Sequence, residues 1–277
     1  HTRCSRDWSS DVCSSDLALR EAEDARARSA ALADIVPGLL DPGPLTVHDL
    51  GSGTGSMMRW LAPRLPGPQT WVLHDWNANL TARASEGPRP RDRSGRPVAL
   101  RSRIGELDRL DAAALHGASL VTASALLDVL TAAEAHAIVD ACLAAGVPVL
   151  LSLSVTGDVA LTPWDPRDIR FARAFNAHQR REVAGRRLLG RYGATLVGGL
   201  FGMAGWHVRT ALTTWRLDRR EPLLLAEWFD GWTGAALEQD PGLLREAAGY
   251  RELRWAQRSR GQLAATVYHL DLLAWPR

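Results

Sequence analysis

Apolar positions along the chain recur in two rhythms. From residue 18 to 36 they return at helical spacing, with Ala22, Ala25, Leu32 and Ile35 among them. That spacing predicts an amphipathic helix, the core of an N-terminal segment over 18–43. "PGLLDPGP" closes it with proline and glycine. From residue 44 onward, short apolar runs alternate with helical stretches. "PLTVHDL" (44–50), "QTWVLHDW" with its Asp75, "VALRSRI" (98–104), "ASLVTASALL" (118–127) and "VPVLLSLSV" (147–155) read as five strands. The fifth is almost continuously apolar, as the interior of a parallel sheet requires. Helices are expected at about 54–65, over "NANLTARAS", and from Thr131 to Gly146, where Thr131 and Glu134 fit a capping box and Gly146 a C-terminal stop. Residues 86–97, rich in Arg, Pro, Asp and Gly, read as a loop. Asp165 and Pro166 supply an N-cap and a first-turn proline for a helix predicted to run through "FNAHQRREVAGRRLL". Residues 206–217 and 263–275 give a sixth and a seventh strand.

Strands alternating with helices predict an α/β fold: a Rossmann-like, mostly parallel seven-stranded sheet with helices on both faces. A direct hairpin between the last two strands needs only a few residues. Residues 218–262 therefore read as a helical insertion or cap before the last strand, carrying Leu223, Leu224, Leu225, Trp228 and Trp232. The expected organisation is a main domain over 44–217 and 263–277 around that insertion. "HTRCSRDWSSDVCSSDL" (1–17) resembles translated sequencing-adapter read-through and is expected to be a non-native, disordered leader.

Composition changes this picture little. An apolar share of 46% and a charged share of 23% suit a globular protein with a real core. The formal net charge of +2 gives no reason to expect a nucleic-acid surface. All 33 basic residues are arginine, which removes any chemistry that needs a lysine, such as a Schiff base or a P-loop. Cys4, Cys13 and Cys142 have neither disulfide-framework nor metal-ligand spacing, and no metal site is expected. No apolar run reaches 18 residues, so no membrane span is expected, and a reducing, cytoplasmic setting is the expectation.

The densest chemistry lies in "TVHDLGSGTGSMMRWL" (46–61). A strand, a glycine turn and a helix make a corner where a ligand can approach bare backbone. The dinucleotide fingerprint fails at its third glycine, where Ser56 stands. What remains is D-x-G-x-G-x-G, which resembles the S-adenosylmethionine-binding motif of class I methyltransferases, and the order of elements agrees with that family. The resemblance implies S-adenosyl-L-methionine as cofactor and the class I methyltransferase fold. It implies Asp49 facing the methionine amino group, and Gly51, Ser52, Gly53 and Gly55 forming the turn beneath the methionine. Asp75 would grip the ribose hydroxyls and Trp76 would pack on the adenine. Gly105, Glu106 and Leu107 would lie at the adenine edge, although the family often has Asp where Glu106 stands. Ser124, with Ala125, would border the methyl group.

The implied activity is methyl transfer to a small-molecule acceptor. The loop motif of amino methylation, the lysine-dependent tetrad of ribose methylation and the Pro-Cys pair of cytosine methylation are all missing, which disfavours nucleic acid. Asp128 and His178 are the candidate general bases, set against capping and structural roles; His207 is a weaker third, and His48 and His74 read as structural. Asn176 and Gln179 share a predicted helix face with Ile169, Ala172 and Val183 and could point inward. Arg180, Arg181, Arg186, Arg187 and Arg191 would hold an acidic acceptor, hold a phosphate backbone or form a solvated helix face. Trp206, Trp215, Trp228 and Trp232 would wall an acceptor or pack a lid. An RNA or protein methyltransferase, a non-catalytic methyltransferase-like scaffold and, less well supported, a nicotinamide-dependent oxidoreductase remain as alternatives.

Overall fold

Strands β1 (Leu45–Leu50), β2 (Gln69–Asp75), β3 (Ala99–Ile104), β4 (Leu120–Ser124), β5 (Val149–Thr162), β6 (His207–Leu217) and β7 (Ala264–Trp275) form one seven-stranded sheet in the order β3-β2-β1-β4-β5-β7-β6. The first five run parallel, and β7 is inserted antiparallel between β5 and β6. The computed structural model describes residues 10–86, 89–107, 110–183 and 185–277. The chain reverses its direction of travel across the sheet between β1 and β4, and in open α/β sheets ligands bind outside the strand ends at such a switch point.

Neighbouring residues of the central strands face opposite cores, which is why those strands read as continuous apolar runs. Leu120 and Leu150 pack with α3 (Ser56–Leu61), while Val121 and Leu151 pack with α5 (Ala132–Ala145) and α7 (Gly193–Met203). A third core, rich in aromatic rings, joins α6 (Arg167–His178) to α8 (Pro222–Gln239) and α9 (Leu244–Ser259), the helices of the expected insertion. Here Phe171 stacks on Tyr250 at 4.5 Å between ring centroids, and Trp228 on Trp232 at 5.6 Å. The capping box is present: Thr131 Oγ1 accepts the Glu134 N–H and Glu134 accepts the Thr131 N–H. Gly146 ends that helix at φ 65°. Helix α4 (Ala78–Ser85) follows β2, capped by Asn77.

Three expectations need correction. The N-terminal helix is not one rod to residue 36. Helix α1 (Ser10–Ala27) stops at a bend, and Ser29 caps the four-residue α2 (Ala30–Ala33), its side chain accepting the Leu32 N–H. Serine stops the helix because its hydroxyl competes for the backbone donors. Residues 1–9 lie outside the described residues.

Helix α6 ends at His178 rather than continuing through the arginine-rich run. Gly185, at φ 75°, sits in a turn that pairs Glu182–Val183 with Arg186–Arg187. The arginines consequently do not share a helix face. Arg181 bonds the His178 carbonyl, Arg186 pairs with Glu134 at 2.7 Å, and Arg191 donates to the Tyr192 hydroxyl.

The buried face of α6 is Asp168, Phe171, Phe175 and His178, and Ile169 is exposed. Two phenylalanines removed from water outweigh one isoleucine, so the helix turns them inward. Asn176 is half-buried and donates to the Gly157 carbonyl at 2.8 Å, and Gln179 is half-buried beside it.

Candidate functional site

Strand β1 carries Asp49 to the switch point, and the chain then turns through Gly51, Gly53 and Gly55 at φ 62°, 54° and 81°. A side chain is strained in that region of backbone space, and at Gly51 a Cβ would also lie 2.9 Å from Leu126 Cδ1. The turn is pinned from behind. Ser52 N–H donates to the His74 carbonyl at 3.0 Å, and Gly53 N–H donates to Asp75 Oδ2 at 2.8 Å. Asp75 Oδ1 accepts the Asn77 N–H at 2.9 Å.

The turn forms the floor of a narrow crevice lined by Asp49, Gly51, Ser52, Gly53, Thr54, Ser56, Met57 and Ser124. Helix α1 forms its roof with Leu17, Arg20 and Asp24. Glu21 of the same helix clasps the Arg59 guanidinium at 2.5 and 2.7 Å, which fastens the roof to α3. Arg20 bonds Asp24 at 3.1 Å, and Asp24 also accepts from Trp215 Nε1 at 3.1 Å. At the bend after α1, buried Arg28 reaches in and donates from Nη2 to Ser56 Oγ at 2.8 Å and Ser124 Oγ at 3.0 Å.

Asp49 is 1% exposed. The β1–β4 register sets it beside Thr122, whose hydroxyl donates to Oδ1 at 2.8 Å; Oδ2 has no partner. Burial pushes the Asp49 carboxyl up to about 7, with Asp75 adding to the rise, while the Thr122 bond and the Arg28 charge oppose it. Ser52 Oγ and Arg28 Nη1 are also buried without partners. A buried polar atom left without a partner costs free energy, so two in the crevice lining and a third on the arginine bonded to that lining mark a place for a polar ligand. An acceptor that can ionise, a guanidinium and a hydroxyl around bare backbone fit an amino-acid tail with an ammonium and a carboxylate.

Backbone strain collects at the same strand ends. Ala125, just after β4, has φ 52°, and Leu153 in β5 has φ 58°. Asp271 holds the second by accepting the Leu153 N–H at 2.7 Å. Non-glycine residues in this region gather where a site needs a particular backbone direction.

The structure brings Asp49, Gly51, Ser52, Gly53 and Ser124 together around one crevice, with Gly55 capping α3 behind them. Asp75, Trp76, Gly105, Glu106 and Leu107 lie along the adjoining ends of β2 and β3, outside the crevice lining. Gly105 N–H donates to the Asp75 carbonyl at 3.0 Å, Trp76 is 41% exposed, and Leu107 is half-buried. Asp128 is buried in the 3-10 turn after β4. His178 is engaged on both ring nitrogens, Nε2 with Glu238 at 2.8 Å and Nδ1 with Arg181 at 2.7 Å, and does not line the crevice. His48 and His74 hydrogen-bond each other at 2.9 Å inside the sheet, and burial pushes both rings down to about 4. His207 is exposed. Trp228 and Trp232 are buried in the aromatic core, Trp206 stacks on Phe201, and Trp215 is buried; none lines the crevice. Among the described residues no cluster of His, Cys, Asp and Glu could hold a metal ion, and no helix is long and apolar enough to cross a membrane.

Sequence reasoning missed the roof. Arg20, Asp24 and Arg28 recur every four residues and are all buried. A charged stripe at that spacing reads as a solvated face, and only its position over the glycine turn gives it meaning.

No family model matches the chain, and no curated relative does. Solved structures do. One from Anaeromyxobacter dehalogenans, assigned provisionally as a type II methyltransferase, is 13% identical over 89% of this chain and 96% of that chain, with a TM-score of 0.52. An S-adenosylmethionine-dependent methyltransferase from Geobacter sulfurreducens, in complex with S-adenosylhomocysteine, is 17% identical over 94% of this chain and 97% of that one, with a TM-score of 0.40. The cyclopropane synthase MmaA2 from Mycobacterium tuberculosis is 15% identical over 87% of this chain and 83% of that one, also at 0.40. At these identities the likeness concerns the fold alone, a Rossmann-like α/β fold with a mostly parallel seven-stranded sheet, shared with the methyltransferase-assigned structure from Anaeromyxobacter dehalogenans.

Proposed function

We propose that the protein binds S-adenosyl-L-methionine in the crevice beneath α1 and transfers its methyl group to a small-molecule acceptor. The observation that carries this reading is Asp49: a buried carboxylate with a free oxygen, beside a glycine turn at the switch point of the sheet. Of the crevice's own groups, Asp49 would hold the donor's ammonium and the Gly51–Gly53 turn would lie against its amino-acid chain. Asp75, fixed against Gly53, would accept from the ribose hydroxyls, and Ser124 with Ala125 would border the reacting end.

When bound, the sulfonium donor supplies an already activated methyl group. The protein's share is therefore alignment and exclusion of water. The parts suit that role, since Gly53 N–H fixes Asp75, Thr122 fixes Asp49, and α1 with Leu17 covers the turn. The dispersal of Arg181, Arg186 and Arg191 among separate local partners favours a small acceptor over a phosphate backbone.

Calorimetry with S-adenosylmethionine, S-adenosylhomocysteine and NAD tests the cofactor. The first two are expected to bind and NAD is not; failure of both adenosyl ligands would sink the reading. Incubation of a cell extract with methyl-labelled donor tests the acceptor class. Label is expected in the small-molecule fraction, and label confined to RNA or protein would overturn that part.

A further inference from the structure

Arg28 has no part in the motif that marks the glycine turn, yet it is 3% exposed and its guanidinium bonds Ser56 and Ser124, two residues of the crevice lining. Among the described residues its side-chain hydrogen bonds go to neutral hydroxyls, and the guanidinium lies over the Trp60 ring at 5.7 Å. Nη2 donates to Ser56 Oγ at 2.8 Å and Ser124 Oγ at 3.0 Å, Nε lies 3.4 Å from Ser124 Oγ, and Nη1 has no partner. Three carboxylates attract it from a distance, Asp24, Asp49 and Asp271; Asp24 and Asp271 are committed elsewhere, and Asp49 is engaged through Oδ1 alone. Asp24 is bonded by Arg20 and Trp215. Asp271 accepts from Ser29 N–H at 2.8 Å, Leu153 N–H at 2.7 Å and Thr213 Oγ1 at 3.3 Å. Asp49 is bonded by Thr122. A buried cation with no anion in contact is costly, and burial drives this guanidinium below its usual range.

The orphaned atoms are of opposite kinds. Arg28 Nη1 offers donors, and Asp49 Oδ2 offers an acceptor. A simple anion would meet Arg28 but would be repelled by Asp49 and Asp24. A simple cation would meet Asp49 but not Arg28. An α-amino acid satisfies both, because its ammonium and carboxylate sit on one carbon. Arginine also suits a carboxylate better than lysine does, since its planar fork can donate two parallel bonds. The bend that carries Arg28 is held in place by the Ser29 N–H bond to Asp271 and the Arg28 N–H bond to the Asp24 carbonyl at 3.0 Å.

We propose that Arg28 binds the α-carboxylate of the donor's amino-acid tail, opposite Asp49, so that the α1–α2 bend supplies half of a zwitterion clasp. This rests on the cofactor reading above. Three ligands separate the two ideas: S-adenosylhomocysteine, its decarboxylated analogue, and 5′-methylthioadenosine, which lacks the amino acid. On the wild-type protein the decarboxylated analogue should bind roughly 10- to 100-fold more weakly than S-adenosylhomocysteine, the worth of one charged hydrogen-bonded contact. Arg28→Ala should weaken S-adenosylhomocysteine by a similar factor and leave 5′-methylthioadenosine unchanged, with Arg28→Lys recovering part of the loss. Equal binding of the carboxylate and decarboxylated ligands to the wild type would overturn the proposal, even if Arg28→Ala fails to fold. So would an equal loss of both nucleosides in a folded Arg28→Ala, which would make Arg28 structural. If no nucleoside binds the wild-type protein, the cofactor reading falls first.

Discussion

Gly53 N–H donates to Asp75 Oδ2 at 2.8 Å, so the carboxylate that ends the second strand is locked onto the turn that ends the first. The contact joins two functions that the sequence holds 22 residues apart. It shapes the glycine turn from behind and leaves the carboxylate beside the place assigned to the ribose. Asp75→Ala removes the acceptor for Gly53 and Asn77 together. S-adenosylhomocysteine affinity should fall about 10- to 100-fold, from the loss of charged hydrogen bonds. Calorimetry on both proteins reads this directly, and equal affinities would remove Asp75 from the site.

Asp49 makes binding depend on pH. Its carboxyl is raised to about 7 in the free protein, and an ammonium partner favours the ionised form. Ligand affinity should therefore improve as pH rises toward 7 and level off above it, falling up to about tenfold per pH unit on the acid side. The sign for stability is the reverse. The folded state holds this proton more tightly than the unfolded chain, so Asp49 contributes stability at low pH that is lost as pH rises through about 7. Asp49→Asn should flatten the affinity profile between pH 6 and 8 while lowering affinity throughout. A wild-type profile already flat over that range would count against the assignment.

Local features were legible in the sequence because local forces decide them. The glycines of the turn, the capping box at Thr131 and the alternation of strands and helices along the chain are written in residues a few positions apart. The end of α6 was not legible: the Gln179–Arg187 run has good helix formers, and the hairpin there depends on Gly185 and on Arg186 finding Glu134, 52 residues distant. Helix α7 is also hidden, since Gly198, Gly199 and Gly202 mimic a breaker until packing against α5 and β7 fixes it. The roof over the site was the largest gap. Arg20, Asp24 and Arg28 carry no signal of burial of their own, and their meaning comes entirely from what lies underneath.

Gly51 tests the turn itself. At φ 62° an alanine is strained, and its methyl would meet Leu126 Cδ1 at 2.9 Å. The conformational strain costs about 1–2 kcal/mol, and the leucine can absorb part of the clash by rotating. Gly51→Ala should lower the urea midpoint accordingly and weaken S-adenosylhomocysteine further than stability alone explains. A variant with unchanged midpoint and unchanged affinity would show that the turn is not held as described.

An ion pair is buried in the aromatic core, and its energetics should be independent of the site. Asp168 Oδ1 accepts from Tyr250 Oη at 2.6 Å and from Arg254 Nη2, while Oδ2 accepts the Asp165 N–H at 3.1 Å. Arg254 is 0% exposed and also donates to the Pro163 carbonyl and to Gln257 Oε1. Removing one partner leaves an uncompensated buried charge, so Arg254→Met should cost about 3–5 kcal/mol in urea unfolding. Asp168→Asn leaves the fully buried Arg254 as the unpaired charge and should cost a similar amount, although the amide oxygen still accepts from Tyr250. Removing both charges relieves the unpaired one, so Asp168→Asn combined with Arg254→Met should be more stable than the sum of the single losses implies. Nucleoside affinity of each folded variant should match the wild type, because these residues lie outside the crevice lining. Strict additivity of the two losses would mean that the pair is not coupled, and that the aromatic rings around it, not the ion pair, hold α6 against α9.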